Sequence, residues 1–372
     1  KFFSKMSFAN FPMVIRPIET KMAEEKKDSR KKLFVYVGTL YKVLRNPVYS
    51  CTILKSLTTY IDMKVVFMGT PDFGIPSLNE LYKQGYEVEA VYTQPDRVNK
   101  RGNKVQFSAV KQFALEHDIT IYQPNSLKDE KELDVLRALN PDLIIVIAYG
   151  KILPQAVLDI PKYGVINVHA SLLPKYRGAA PVQRSIIDGE ETTGVTIMQL
   201  DAGMDTGNII AEKSVFITPH MTSEDLFDVL SNVGAKLLID VLDDLPAKLA
   251  ASVKQDESKA TYAEKLTKEM GHINWNDSAR TIDRLIRGMY PNPGTYTFFR
   301  GKRIKIHEAV LLESSSNDAP GKIFSLSDGM LHVKCSDGAI GLLMIQPENH
   351  KKMSASDFIN GYKVTTDESF EY

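Results

Sequence analysis

The chain has 372 residues, 43% hydrophobic and 25% charged, with Lys+Arg and Asp+Glu equal at 46 each. That length is enough for two domains, and two cysteines far apart, Cys51 and Cys335, exclude both a disulfide framework and a cysteine metal cluster and imply a reducing compartment. The balanced charge excludes any argument about partners from net charge, and no apolar run approaches the roughly 18 residues of a membrane span.

The charge is unevenly spread: residues 1–62 hold 12 Lys/Arg against 5 Asp/Glu, leaving 34 against 41, so the body is mildly acidic. The first segment lacks steady periodicity, and Met63 then opens "MKVVFMGTPDFG" (63–74), a buried-strand pattern running into a turn. Met63 is therefore expected to be the native start, with residues 1–62 translated upstream sequence whose deletion leaves folding and activity intact. A basic organelle-targeting segment is the alternative, although "EEKKDSRKK" (24–32) begins too acidic for a good transit peptide. The expected location is cytoplasmic, or an organelle if that segment is genuine.

From Met63 onward apolar β-rich runs, "KVVFMG" (64–69), "EVEAVYT" (87–93), "DLIIVIAYG" (142–150) and "GVINVHA" (164–170), alternate with helical stretches at 75–85, 108–118 and 127–140. Such alternation predicts βαβ units in a doubly wound, mostly parallel sheet, an α/β fold with its working site beyond the carboxyl ends of the strands. "TGVTIMQLD" (193–201) and "GNIIAEKSVFI" (207–217) read as further strands, and residues 223–245 as a long amphipathic helix starting at a Ser cap. The polar stretch 251–269 has little to bury and reads as a linker between a catalytic domain at 63–250 and a second domain at 270–372. In that second domain a helix at 277–290 precedes short strands with Gly and Asp-Gly turns, the pattern of a small β-barrel of the oligonucleotide-binding type.

Four stretches could carry chemistry. "GTPDFG" (69–74) matches no phosphate-loop pattern and reads best as a tight βα turn. In "INVHASLLPKYRGAAP" (166–181), Asn167 and His169 share one side of a strand and could stabilise an oxyanion; a hydrogen-bonded structural His is the alternative. The following "SLLP" offers backbone donors and acceptors suited to the polar edge of a flat heterocycle. Asp201 and Asp205 lie in the Gly-rich "MQLDAGMDTGNI" (198–209), where turn formation competes with a carboxylate that would hold the imidazole and favour its protonated form. No second His or Cys stands at ligand spacing, so no metal is expected. Basic residues Arg97, Lys100, Arg101 and Lys104 in "YTQPDRVNKRGNK" (92–104), with Arg300, Lys302 and Arg303 in "FFRGKRIKIH" (298–307), could track a phosphate backbone or be solvated faces.

These stretches, with "VIAYGKILP" (146–154), "TYAEKL" (261–266) and "KKMSASDF" (351–358), resemble the methionyl-tRNA formyltransferases from about Met63 to the C-terminus. "HASLLPKYRG" alone would indicate only the wider family of formyltransferases using 10-formyltetrahydrofolate. Ala170 stands where many members carry Gly, and "RVNKRG" lacks the Pro-Ala-Gly often seen in that loop. The resemblance implies Asn167, His169 and Asp205 as catalytic, Ser171, Leu172, Leu173 and Pro174 as the folate-side loop, and the 97–104 loop and C-terminal barrel as contacts for tRNA. It implies formyl transfer to methionyl initiator tRNA; separately, a monomer with no membrane partner is expected. An amino-sugar or glycinamide-nucleotide formyltransferase, or a non-catalytic tRNA- or folate-binding protein, are the alternatives.

Overall fold

The alternation between Met63 and His169 folds as its periodicity predicts. A computed structural model describes residues 63–98 (97 and 98 by backbone alone), 105–313 and 316–371. The chain runs β1 (Lys64–Gly69), α1 (Ile75–Gln84), β2 (Glu87–Tyr92), β3 (Arg97–Val98) paired with β4 (Val105–Gln106), α2 (Ala109–Glu116), β5 (Thr120–Tyr122), α3 (Glu130–Leu139), β6 (Leu143–Ile147), α4 (Gln155–Leu158) and β7 (Val165–His169). Then come β8 (Arg177–Gly178), α5 (Pro181–Ile187), β9 (Thr192–Gln199), β10 (Ile209–Phe216), α6 (Ser223–Leu242) and α7 (Leu245–Ala250). The role expected of residues 1–62 lies outside the described residues.

The main sheet has the order β10-β9-β7-β6-β1-β2-β5, parallel from β5 to β7, with β9 and β10 added antiparallel. Alternate side chains build two cores: Val65 and Phe67 of β1 pack with α1 and α6, Val66 and Met68 with α3 and α4. Because β1 lies between β2 and β6, the winding reverses there and a crevice opens beyond the carboxyl ends of the strands.

Two local features differ from expectation. β5 has three residues at the sheet edge, too short a run to stand out by periodicity. The cap of α6 is Thr222, which forms a capping box with Asp225; Ser223 instead donates its hydroxyl to the carbonyl of Tyr290 in the second half of the chain.

That half comprises β11 (Tyr262–Ala263), α8 (Ala279–Met289), β12 (Thr295–Phe299), β13 (Lys302–Leu312), β14 (Ile323–Ser325), β15 (Leu331–Lys334), β16 (Ala339–Pro347), β17 (Met353–Ser354) and α9 (Ala355–Tyr362). Its antiparallel sheet, β12-β13-β16-β15-β14 with β17 on β16, curls around Trp275, Ile304, Val333, Phe358 and Phe370 into the half-barrel anticipated for a small oligonucleotide-binding-type domain. The chain end stitches the two edge strands: Glu371 bridges Phe298 beside one edge and Ser369 bridges Lys322 beside the other. Helix α8 lies on α5, where a Cβ at Gly288 would stand 2.5 Å from Ile187 Cγ1.

The stretch 251–269 does more than link. Gln255 and Ala263 are buried, and β11 pairs in parallel with β8. It satisfies buried polar groups instead of covering apolar ones, so hydrophobic patterning carries no sign of it.

Candidate active site

Asn167 and His169 follow Val165 along one face of β7, as a two-residue repeat requires. Both are buried, at 8% and 6% exposure, yet both line a cavity of about 1040 Å³. The Asn167 amide has no hydrogen-bond partner among the described residues, so its donors are held for whatever enters. His169 Nε2 lies 2.9 Å from the carbonyl of Tyr176. A carbonyl only accepts, so Nε2 carries the proton and Nδ1 is the ring atom left for other work.

Nδ1 stands 3.7 Å from Asp205 Oδ2, too far for a direct hydrogen bond. The ring is thus oriented by a backbone carbonyl, whereas a carboxylate was expected to hold it. Asp205 in turn accepts from the Gly178 N–H at 2.8 Å. Tyr176 and Asp205 both sit in left-handed backbone, at φ +60° and +53°, strain of a kind that clusters at functional sites. Gly178 has φ +115°, and a Cβ there would meet the Ala263 carbonyl at 2.9 Å. The Tyr176 phenol donates to Glu190 at 3.1 Å, and burial followed by the charges of Asp188 and Glu190 pushes its pKa upward.

The cavity walls are the loops after β1, β6, β7 and β9, one side of α6, and Pro291 from the second half. Residues 148–153 and 201–204 form much of this wall, and the sequence reading missed the first set. Its shape depends on the Tyr149 carbonyl, which accepts from Thr70 Oγ1 and Gln94 Nε2, each at 3.0 Å. That explains "GTPDFG" and "TQPD" as a turn and a brace. Ala148 at φ +49° is a non-glycine that no sequence rule would have placed there. Phe73 and Phe227, ring centroids 5.8 Å apart, make the apolar end.

Ser171, Leu172, Leu173 and Pro174 are not on the cavity wall. Ser171 Oγ donates to Lys175 O at 2.6 Å, the Leu173 N–H donates to Thr196 Oγ1 at 3.0 Å, and Leu172 packs over Gly194. The Pro174 carbonyl in turn accepts from the Thr261 N–H at 3.2 Å, and Leu172 and Pro174 stay partly exposed. Asp201 lies at the rim, capping its own turn through the Gly203 N–H and Thr206 hydroxyl.

Of the basic residues, Lys100, Arg101 and Lys104 lie outside the described residues, as does the Arg97 side chain. Arg300 is already committed: it bonds both oxygens of Glu368, at 2.6 and 2.8 Å, and the Tyr362 carbonyl. Lys302 is exposed, and the Arg303 guanidinium lies 3.6 Å over the Tyr296 ring, which stacks on His272. No group of three or more His, Cys, Asp or Glu suited to a metal occurs among the described residues, and none of their helices is long and apolar enough to cross a membrane.

Two family models match the chain: "Formyl transferase" over residues 63–242 and "Formyl transferase, C-terminal domain" over residues 265–363. A curated relative, "Methionyl-tRNA formyltransferase" of Caldanaerobacter subterraneus subsp. tengcongensis, is 46% identical over 303 residues, covering 81% of this chain and 98% of that protein. Solved structures share the fold at lower identity. HypX from Aquifex aeolicus in complex with tetrahydrofolic acid superposes with TM-score 0.58 at 17% identity, over 81% of this chain and 47% of that one, so this chain spans about half its length. The N-formyltransferase from Helicobacter canadensis in complex with folinic acid and dTDP-3-aminofucose gives TM-score 0.58 at 20% identity, over 77% and 99%.

Proposed function

The chain belongs to the formyl transferase family, and from that premise we propose that it transfers the formyl group of 10-formyltetrahydrofolate to the α-amine of methionyl initiator tRNA. The relative that supports this substrate is matched over 98% of its length, through both halves of the chain. An amino-sugar or glycinamide-nucleotide acceptor is not favoured, because the sugar enzyme shares the fold at only 20% identity. The observation that carries the reading is the meeting of Asn167, His169 and Asp205 on one cavity at the carboxyl end of the sheet.

The residues would act as follows. The neutral amine attacks the formyl carbon, and the carbonyl oxygen becomes an oxyanion in a tetrahedral intermediate. The Asn167 amide donates to it, joined by Nδ1–H of a charged His169, since Nε2–H is committed to Tyr176. Asp205, 3.7 Å from Nδ1, takes the amine's proton directly or through one water. As the carbon–nitrogen bond to the folate breaks, that proton returns to the leaving nitrogen.

The donor's flat ring system would rest on residues 148–153 and 202–204, with Ser171, Leu172, Leu173 and Pro174 holding that side of the cavity from behind. The phenylalanine-lined end and Pro291 would take the methionyl side chain. We assign catalysis to residues 63–250 and tRNA contacts to residues 270–372, and expect the protein to work as a monomer.

The test is transfer of radiolabelled formyl from 10-formyltetrahydrofolate to methionyl initiator tRNA, methionyl elongator tRNA and free methionine, offered separately. Strong labelling of the initiator alone is the expected result; no labelling of any of them by folded protein would send the site to another amine. Asp205→Asn should stay folded and lose most activity, and an active variant would reduce Asp205 to a turn residue.

A further inference from the structure

Arg177 is the largest fully buried side chain among the described residues. Burying a guanidinium is costly unless its donors are satisfied, and here the stretch between the two halves of the chain satisfies them. Nε and Nη2 donate to Gln255 Oε1 at 3.1 and 2.8 Å, while Nη1 and Nη2 donate to the two oxygens of Glu257 at 2.9 and 2.8 Å. Gln255 uses the other end of its amide on the loop after β9: Nε2 donates to the carbonyls of Asp205 and Gly207 at 2.8 and 2.7 Å.

The amide can face only one way. Its oxygen meets two N–H groups of Arg177 and its nitrogen meets two carbonyls, so the reverse orientation would oppose donor to donor and acceptor to acceptor. Gln255 is itself 4% exposed, which shields all four bonds from water. One side chain therefore pins the turn that holds Asp205 in its left-handed conformation, and references that turn to β8, whose Gly178 N–H binds the Asp205 carboxylate. Both ends of Asp205, backbone and carboxylate, are thus fixed to the same short strand.

We propose that Gln255 is a positioning residue for formyl transfer: by bonding the carbonyls of Asp205 and Gly207 while anchored on Arg177, it sets where the Asp205 carboxylate stands relative to His169. This rests on the role given to Asp205 above. Gln255 touches no reacting atom. Its effect should therefore appear in turnover, because a displacement of about 1 Å in a reacting constellation costs on the order of 100-fold, and should leave substrate affinity alone.

The experiment uses the full chain with Gln255→Glu, which keeps an acceptor for Arg177 and loses both donors, and Gln255→Met, which loses both and covers the case in which the glutamate variant fails to fold. Each is measured for kcat, KM for both substrates and Tm, alone and combined with Asp205→Asn. The expected result is a kcat lower by about 10- to 100-fold with KM within about twofold. Added to Asp205→Asn, either change should cost less than about twofold more, because it acts through a carboxylate already removed. Parent-like kcat in a folded Gln255 variant, or a loss that multiplies in full with that of Asp205→Asn, would overturn the proposal. Should Asp205→Asn alone retain normal activity, the premise about Asp205 fails and the proposal with it, a result distinguishable from an active Gln255 variant beside an inactive Asp205→Asn.

Discussion

Asn167→Ala separates a functional role from a structural one because the side chain is buried without being bonded. Truncation removes no protein hydrogen bond among the described residues, so the usual loss of about 1 kcal/mol per bond does not arise. It also opens no sealed void, since the side chain already lines the large cavity, and the cavity term of a core truncation is absent. Stability should therefore change by less than about 1 kcal/mol. The barrier to formyl transfer, by contrast, should rise by about 3–4 kcal/mol, a loss of about 100- to 1,000-fold in kcat, the range for deleting one preorganised oxyanion donor. The assay is single-turnover transfer of labelled formyl at saturating donor, read beside a thermal melt. A variant melting several degrees lower while turning over within about threefold of the parent would show the amide to be a structural group and refute the oxyanion assignment.

Gly178→Ala should lose most activity and about 1–3 kcal/mol of stability, from a disfavoured backbone conformation and a Cβ driven against the Ala263 carbonyl; a melt and an activity assay check both. Lys302→Ala should weaken tRNA binding uniformly and reduce the salt slope of that binding by about 1, measured by titration at several ionic strengths. Arg300→Ala should leave tRNA affinity within about twofold and lower Tm instead, because its guanidinium is spent on Glu368. Burial lifts the Glu212 carboxyl above its ordinary range, with the Thr196 hydroxyl opposing. The folded chain thus binds that proton more tightly than the unfolded one, and the stabilisation present at acid pH is lost as pH rises through the folded value. Because Glu212 itself remains exposed and solvent screens its charge, the effect is small: Glu212→Gln should raise Tm by no more than about 1 °C at neutral pH and lose the advantage near pH 4, as paired melts would show.

Strand β7 illustrates how much of the site was legible in one dimension. The two-residue repeat of a strand put Asn167 and His169 on one face, and the end of the apolar run put them at the edge of the core. The partner of the imidazole was not legible. Tyr176 reaches His169 through its backbone carbonyl, which every residue type carries, so nothing in the identity of Tyr176 announces it. Ser171, Leu172, Leu173 and Pro174 show the opposite case, a conspicuous motif whose hydrogen bonds run to its own turn, to Thr196 and to Thr261.

The sequence alone determined the alternating α/β architecture, the short-stranded β-rich second half and the placing of Asn167 and His169 on one face of a strand, because these depend on periodicity and side-chain chemistry, which are local. Only the tertiary structure decided that the 3.7 Å gap between His169 and Asp205 is left open, that residues 148–153 form part of the cavity wall, and that the polar stretch at 251–269 grips β8 and the loop after β9. Those features rest on backbone carbonyls, left-handed turns at non-glycine residues and hydrogen bonds between segments some 50 to 80 residues apart. None of these leaves a periodic trace in the chain, since a hydrogen bond between distant segments needs only one polar group at each end.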